Sequence, residues 1–350
     1  MKTIKISKLT INEKSRPIII AEMSANHNNS FEKAISIVEK AAEIGADIIK
    51  LQTYRADTMT LNINHKDFII KDKKSLWFNK KLYDLYSVGS TPWEWHEAIF
   101  KKAKEKNIVC ISTPFDESAV DFLEKLKVPA YKISSFENTD TILLKKVAKT
   151  KKPIILSTGM ATISELNESI ETIKQEGNDQ IILLKCTSTY PAKAKNSNLI
   201  TIPHMKKLFG CHVGLSDHTI GIGTSVAAAA YGAKIIEKHF TLNKKDGGID
   251  SKFSIEPHEM KLLIKESKQA MNSIGKIKYG PTSDEKKSLQ FRRSLYVCKD
   301  VQKGELVSKK NIKNIRPGFG LASKNINKVL GKKFGKKVKK GTPLSWTIIK

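Results

Sequence analysis

The chain has 350 residues, 40% of them hydrophobic and 7% aromatic, a composition that suits one large globular domain with a small one attached. Its formal net charge of +27 raises nucleic acid as a partner. The lysines, however, read as spread along the whole chain, without a helix-turn-helix, zinc finger or stacking motif, so a solvated surface that also attracts small anions is expected, and no nucleic-acid role. Residues 1–14 are mixed and polar, with no apolar leader, and no run approaches the about 20 apolar residues of a membrane span. Cys110, Cys186, Cys211 and Cys298 lack motif spacing, which points to reduced thiols and a cytoplasmic protein.

In chain order, apolar β-rich runs occupy residues 17–24, 47–53, 108–113, 130–135, 153–158, 181–187, 211–216 and 233–239. Amphipathic helical stretches follow most of them, at 30–44, 94–106, 117–126, 139–149, 163–176, 198–208 and 221–232. Eight βα repeats predict an α/β fold, a (β/α)8 TIM barrel, over residues 1–275. The runs are short and continuously apolar, as parallel strands buried on both faces should be. A doubly wound open sheet is the alternative, but no G-x-G-x-x-G loop follows the first run. Residues 276–290 read as a linker, and 291–350, with short β-like runs and Gly-containing turns, as a small β-rich accessory domain.

Barrel enzymes place their chemistry at the carboxyl ends of the strands, and here those ends are polar. The first delivers Glu22, the second Lys50 and Gln52, the third Thr113, and the fourth Lys132, Ser134, Ser135 and Glu137. The fifth delivers Ser157 and the sixth Ser188 and Tyr190. Side chains two apart share a face, which pairs Lys50 with Gln52 and Lys132 with Ser134. Two lysines at equivalent strand ends, with no acidic residue beside either in sequence, favour a site for a phosphorylated acid over a snorkelling role. Glu22 and Glu137 are candidate acid/base groups or metal-water ligands, and a salt bridge to those lysines is the plainer alternative.

The last two strand ends carry Gly214-Leu215-Ser216-Asp217-His218 and Glu237-Lys238-His239-Phe240. In a parallel βαβ unit they point the same way, so His218 and His239 should arrive side by side as a divalent-metal site. Either histidine alone would read as a satisfied core residue. Their pairing, with an aspartate beside one and a lysine beside the other, favours the metal.

These motifs, together with Asn26-His27, Ser112-Thr113-Pro114-Phe115, Leu156-Ser157-Thr158-Gly159-Met160 and Arg316-Pro317-Gly318, resemble the sialic acid synthase family over the whole chain. The family is also called the nonulosonic acid synthases, and joins a barrel to a small antifreeze-like (SAF) domain. Ser24-Ala25-Asn26-His27, Leu76-Trp77, Leu82 to Tyr86, Thr187 to Pro191 and Asp250 to Ser254 look like its pseudaminic acid branch. N-acetylneuraminate synthases usually read Gly-x-Asn-His at the first of these and carry Asn at the position of Ser188.

The resemblance implies a transferase that condenses phosphoenolpyruvate with 2,4-diacetamido-2,4,6-trideoxy-L-altropyranose, giving pseudaminic acid and phosphate. Legionaminic acid or N-acetylneuraminate synthesis is the alternative, and a basic nucleic-acid-binding module on a degenerate barrel a distant one. It further implies Mn²⁺ or Mg²⁺ on His218 and His239 as Lewis acid. Lys50, Lys132, Thr113, Ser135, Ser157, Ser188 and Ser216 would line the phosphoenolpyruvate site. Glu22, Gln52, Tyr190 and Asp250 would face the sugar and metal waters, with Glu137 as acid/base. Arg316 would reach the sugar in the partner's barrel of a domain-swapped homodimer.

Overall fold

Eight parallel strands close into a barrel in a computed structural model that describes all residues, Met1–Lys350. Before it, the polar residues 1–14 hide a short antiparallel hairpin, β1 (Ile4–Ile6) and β2 (Leu9–Ile11). Ile4, Ile6 and Ile11 are buried there with Leu9 partly packed beside them, too brief an alternation to stand out among polar neighbours. The barrel strands are β3 (Ile18–Glu22), β4 (Ile48–Thr53), β5 (Val109–Pro114), β6 (Tyr131–Ile133), β7 (Ile154–Ser157), β8 (Ile181–Cys186), β9 (His212–Asp217) and β10 (Ile235–His239). They neighbour one another in chain order, and β10 pairs with both β9 and β3. One strand lies within or against each expected run.

The strands are almost wholly buried because helices cover them outside and side chains fill them inside. Local sequence starts several of those helices. Asp116 accepts the backbone N–H groups of Ser118 and Ala119 before the helix Glu117–Lys125. Asp140 does the same for Ile142 and Leu143, and Thr162 with Glu165 forms a capping box. A further helix, Pro257–Ser273, follows β10. Only Met260, Leu263 and Ser267 are buried along it, a stripe thinner than the periodicity of the other helices.

The chain divides into two compact units, Met1–Gly275 and Lys276–Lys350. In the second, β11 (Ser294–Val297) and β12 (Ile312–Ile315) pair antiparallel, around a core that includes Leu295, Val297, Val301, Phe334 and Leu344. Glu285–Phe291, which spans the end of the 276–290 stretch read as a linker, forms a 3-10 helix. The positive charge is not spread evenly. The second unit holds 21 basic and 4 acidic residues, a net +17 of the chain's +27, and none of its basic side chains forms an ion pair. No helix is long and apolar enough to cross a membrane.

Candidate active site

Alternation along β3, β4 and β10 turns Glu22, Lys50, Gln52, Glu237 and His239 to one interior surface near the carboxyl end of the barrel. The parallel register sets His239 opposite Glu22 and Glu22 opposite Lys50. Lys50 Nζ lies 2.6 Å from Glu22 Oε2, 3.5 Å from Glu237 Oε1 and 3.1 Å from Thr113 Oγ1. Lys132 Nζ lies 3.9 Å from Glu237 Oε1 and donates to its neighbouring carbonyl, Ile133 O, at 2.8 Å. Gln52 Nε2 donates to Glu22 Oε1 at 3.1 Å. The lysines therefore do not stand without acids, as their sequence neighbours suggested. Their counter-charges come from other strands, through register that no local motif records.

These four charged side chains are at most 5% exposed. Burial drives Glu22 up, against the pull of Lys50 and with the push of Glu237, to about 6. Burial opposes ionisation of Glu237 too, but Lys132 and Lys50 hold it below the usual carboxylate range. Burial would likewise discharge Lys50, yet Glu22 and Glu237 keep it above its ordinary value. Lys132 is lowered, by burial first and by the charge of Lys50 after Glu237 has opposed it. Two cations balanced by one firm and one labile carboxylate can accept an anion if Glu22 takes a proton.

Across the barrel, Ser135 Oγ accepts the Gly159 N–H at 3.1 Å, and a Cβ at Gly159 would collide with the hydroxyls of both Ser135 and Ser188. Glycine there lets two hydroxyls converge over a backbone N–H. Ser157 Oγ is buried beside them with no partner in the protein. Unspent hydroxyl donors in the same barrel interior as two lysines are what an oxyanion needs. Ser216 Oγ is turned instead to Glu237 Oε1, at 3.3 Å. Glu137 is held by a hydrogen bond from Ser134 Oγ, and burial raises it while that bond and Lys132 draw it down.

His218 and His239 do meet, with ring centroids 5.3 Å apart. His218 Nδ1 lies 3.1 Å from the Thr187 carbonyl, which assigns the proton to Nδ1 and leaves Nε2 as the lone pair. His239 is held neutral, well below its ordinary value, by burial and by the cationic field of His218 and the lysines, and its buried Nδ1 has no partner. Asp250 Oδ2 is 3.9 Å from that nitrogen. Tyr190 and Phe253 wall the pair, with centroids 4.5 Å from His218 and 4.9 Å from His239 respectively. Two imidazoles with a carboxylate beside them form a donor set that fits a divalent ion once His218, raised against burial by its contact with Cys186, gives up its second proton.

Asp217 and Lys238, taken from the sequence as support for that site, face the other way. Lys238 Nζ pairs with Asp217 Oδ2 at 2.8 Å, and Ser225 and Thr219 complete the knot on the helix side of the wall. It fixes the strand ends from which the histidines project. Another group of potential ligands, Glu256, His258 and Glu259, opens the helix after β10, where its oxygens already serve the capping box and Lys244.

Arg316 belongs to the second unit. Its turn is packed, since Ser294 Oγ donates to Pro317 O at 2.7 Å and a Cβ at Gly320 would collide with Leu295 O, while the guanidinium side chain is exposed without an acidic partner. Sequence reasoning gave no role to Glu237, although it stands two residues before His239 and so on the same face. It also passed over Cys186, whose Sγ lies 3.8 Å from His218 Nδ1. Burial alone would raise that thiol, but the contact with His218 brings it down to about 6. Trp77, which packs on Tyr190 at 5.9 Å between centroids, has a buried indole N–H without an acceptor.

Residues 37–279 match the NeuB family and residues 292–349 the SAF domain. A pseudaminic acid synthase of Campylobacter jejuni is 45% identical over 333 residues, covering 95% of this chain and 96% of that protein. A pseudaminic acid synthase of Helicobacter pylori is 43% identical, covering 94% and 96%. Among solved structures, an N-acetylneuraminic acid synthetase of Leptospira borgpetersenii in complex with citrate superposes with a TM-score of 0.73 at 28% identity, over 83% of this chain and 96% of that one. These relatives match the barrel and the trailing β-rich unit together, and the chain belongs to the NeuB family, with a SAF domain at its carboxyl end.

Proposed function

We propose that the chain is a pseudaminic acid synthase that condenses phosphoenolpyruvate with 2,4-diacetamido-2,4,6-trideoxy-L-altropyranose and releases phosphate. The observation that carries this is the near-full-length likeness to pseudaminic acid synthases at 43–45% identity, against 38% for a Campylobacter jejuni N,N'-diacetyllegionaminic acid synthase. In the reaction, C3 of phosphoenolpyruvate bonds to the sugar's aldehyde carbon, whose oxygen gains a proton. Water adds at C2, and the C2–O bond breaks to release phosphate.

Lys50 and Lys132, with Thr113, Ser135, Ser157, Ser188 and Ser216, hold the phosphoenolpyruvate anion. His218 Nε2 and His239 Nδ1 hold a divalent ion, and two imidazole donors favour Mn²⁺ over Mg²⁺. When bound, that ion supplies Lewis-acid polarisation of the sugar carbonyl. Glu22, oriented by Gln52 and sitting near 6, can lend or take a proton close to neutral pH. Glu137, also raised, is the second acid/base candidate. Tyr190 and Asp250 face the sugar. Four unpaired cysteines support a reducing compartment, the cytoplasm, as the place of work.

The test is phosphate release with Mn²⁺ and purified altrose-, mannose- and legionaminate-type diacetamido precursors side by side. Turnover of the altro sugar alone is expected, and preference for another precursor overturns the substrate. Lys132→Met should raise the KM for phosphoenolpyruvate by roughly 10- to 150-fold, the loss of a charge-assisted contact of about 1.5–3 kcal/mol, with little change for the sugar. A defect confined to the sugar would sink the anion-site assignment.

For assembly, the reading is a homodimer in which Arg316 completes the partner's sugar site, supported by an exposed arginine without a counter-ion on a packed turn. Arg316→Ala and His218→Ala chains, each inactive alone, should recover about a quarter of wild-type activity after mixing. Random pairing makes half the dimers mixed, each with one intact site of two. No recovery after confirmed subunit exchange would assign Arg316 to its own chain or to no site.

A further inference from the structure

Ten residues other than glycine have a left-handed backbone, and nine of them are exposed. The tenth is Ser24, at φ +45° and 4% exposed, two residues after the end of β3. A side chain in that conformation is disfavoured, because Cβ crowds the carbonyl that follows, and glycine would adopt it without cost. Strain of this kind survives where the surroundings impose it, and it gathers at functional sites.

The hydroxyl explains what the strain secures. Ser24 Oγ donates to Asp250 Oδ2 at 2.5 Å, across 226 positions of sequence, and the next backbone group, Ala25 N–H, reaches the same oxygen at 3.4 Å. Asp250 Oδ2 is also the oxygen 3.9 Å from His239 Nδ1. The second oxygen, Oδ1, accepts no hydrogen bond from the protein. Two residues on, Asn26 Nδ2 donates to Ser254 Oγ at 2.8 Å, and Ser254 Oγ donates to the Asp250 carbonyl at 2.7 Å. The segment after β3 therefore grips the loop after β10 at both its side chain and its backbone. In the left-handed backbone at residue 24, the hydroxyl and the following N–H converge on one carboxylate oxygen.

We propose that Ser24 is a positioning residue, whose left-handed backbone and hydroxyl fix Asp250 so that its free oxygen is presented to a sugar hydroxyl beside the two histidines. The inference rests on the proposed reading of Asp250 as sugar-facing. It adds that the protein gives up stability at residue 24 to aim that group.

The experiment compares Ser24→Gly with Ser24→Ala, both of which delete the hydroxyl while only glycine relieves the backbone. Tm is read alongside KM and kcat for each substrate, with whichever diacetamido precursor the wild type consumes. The glycine variant should melt above the alanine variant, against the usual order of these residues. Both should lose roughly 10- to 100-fold in kcat/KM for the sugar, the scale of one charge-assisted hydrogen bond, while the KM for phosphoenolpyruvate stays within about twofold. Wild-type sugar kinetics in Ser24→Gly would overturn the proposal, as would an equal defect toward both substrates. A wild type that ignores the altro sugar but turns over another precursor overturns the proposed substrate alone, and the Ser24 comparison is then made on that precursor.

Discussion

His218→Ala should abolish phosphate release while leaving the barrel folded. The imidazole sits at a strand end, and its removal deletes an aromatic contact with Tyr190 worth about 1 kcal/mol, so Tm should fall by only a few degrees. Function should not survive in proportion. With the Thr187 carbonyl holding its Nδ1 proton, His218 presents one committed lone pair through Nε2. Tight Mn²⁺ binding, measured by calorimetry, should disappear with activity. In the wild type, EDTA should remove activity and a divalent ion restore it. His258→Ala, in the outer cluster with Glu256 and Glu259, should keep full Mn²⁺ dependence, because that cluster is already spent on a helix cap and Lys244. Near-normal turnover in His218→Ala, or loss of Mn²⁺ dependence in His258→Ala, would move the metal site.

The barrel was legible in the sequence because its signal is local: eight short apolar runs with amphipathic helical stretches between them. The histidine pair was legible for the same reason, since two strand ends in one βαβ unit must converge. What escaped was whatever depends on register between strands distant in sequence. A salt bridge from Glu22 to a lysine was the plainer alternative and is what Lys50 makes, whereas Glu237 between two lysines follows from closing β10 onto β3, a closure that no stretch of chain announces. The Asp217–Lys238 knot misled for a related reason. Adjacency to a histidine in sequence places a side chain on the opposite face of a strand, where these two residues find each other. The second unit differs again: its charge was read as an even surface, whereas the lysines crowd a region with almost no acids.

Lys50→Met should cost about 3–5 kcal/mol of stability, in addition to weakening phosphoenolpyruvate binding, because it strands Glu22 in the barrel interior and leaves Glu237 with Lys132 alone. The lysine is the near partner of both carboxylates, and their side chains are no more than 5% exposed, so water cannot substitute for it. The lost charge is answered by protonation, which gives the effect a pH signature. Glu22 already sits at about 6 with Lys50 present, and it should rise further without it. A carboxyl raised in the folded state contributes stability below its unfolded pKa and loses it as pH rises through the folded value. The deficit of Lys50→Met relative to wild type should therefore be smaller at pH 5 than at pH 8. Glu22→Gln placed on the same background removes the stranded charge but keeps the hydrogen-bonding outline toward Gln52. The double variant should regain much of the stability measured by urea unfolding, while activity stays lost because the anion still lacks its lysine. A Lys50→Met protein as stable as wild type at pH 8 would mean that the cluster is neutral before substrate arrives. Recovery of synthase activity in the double variant would show that Lys50 serves the fold and not the phosphoenolpyruvate site.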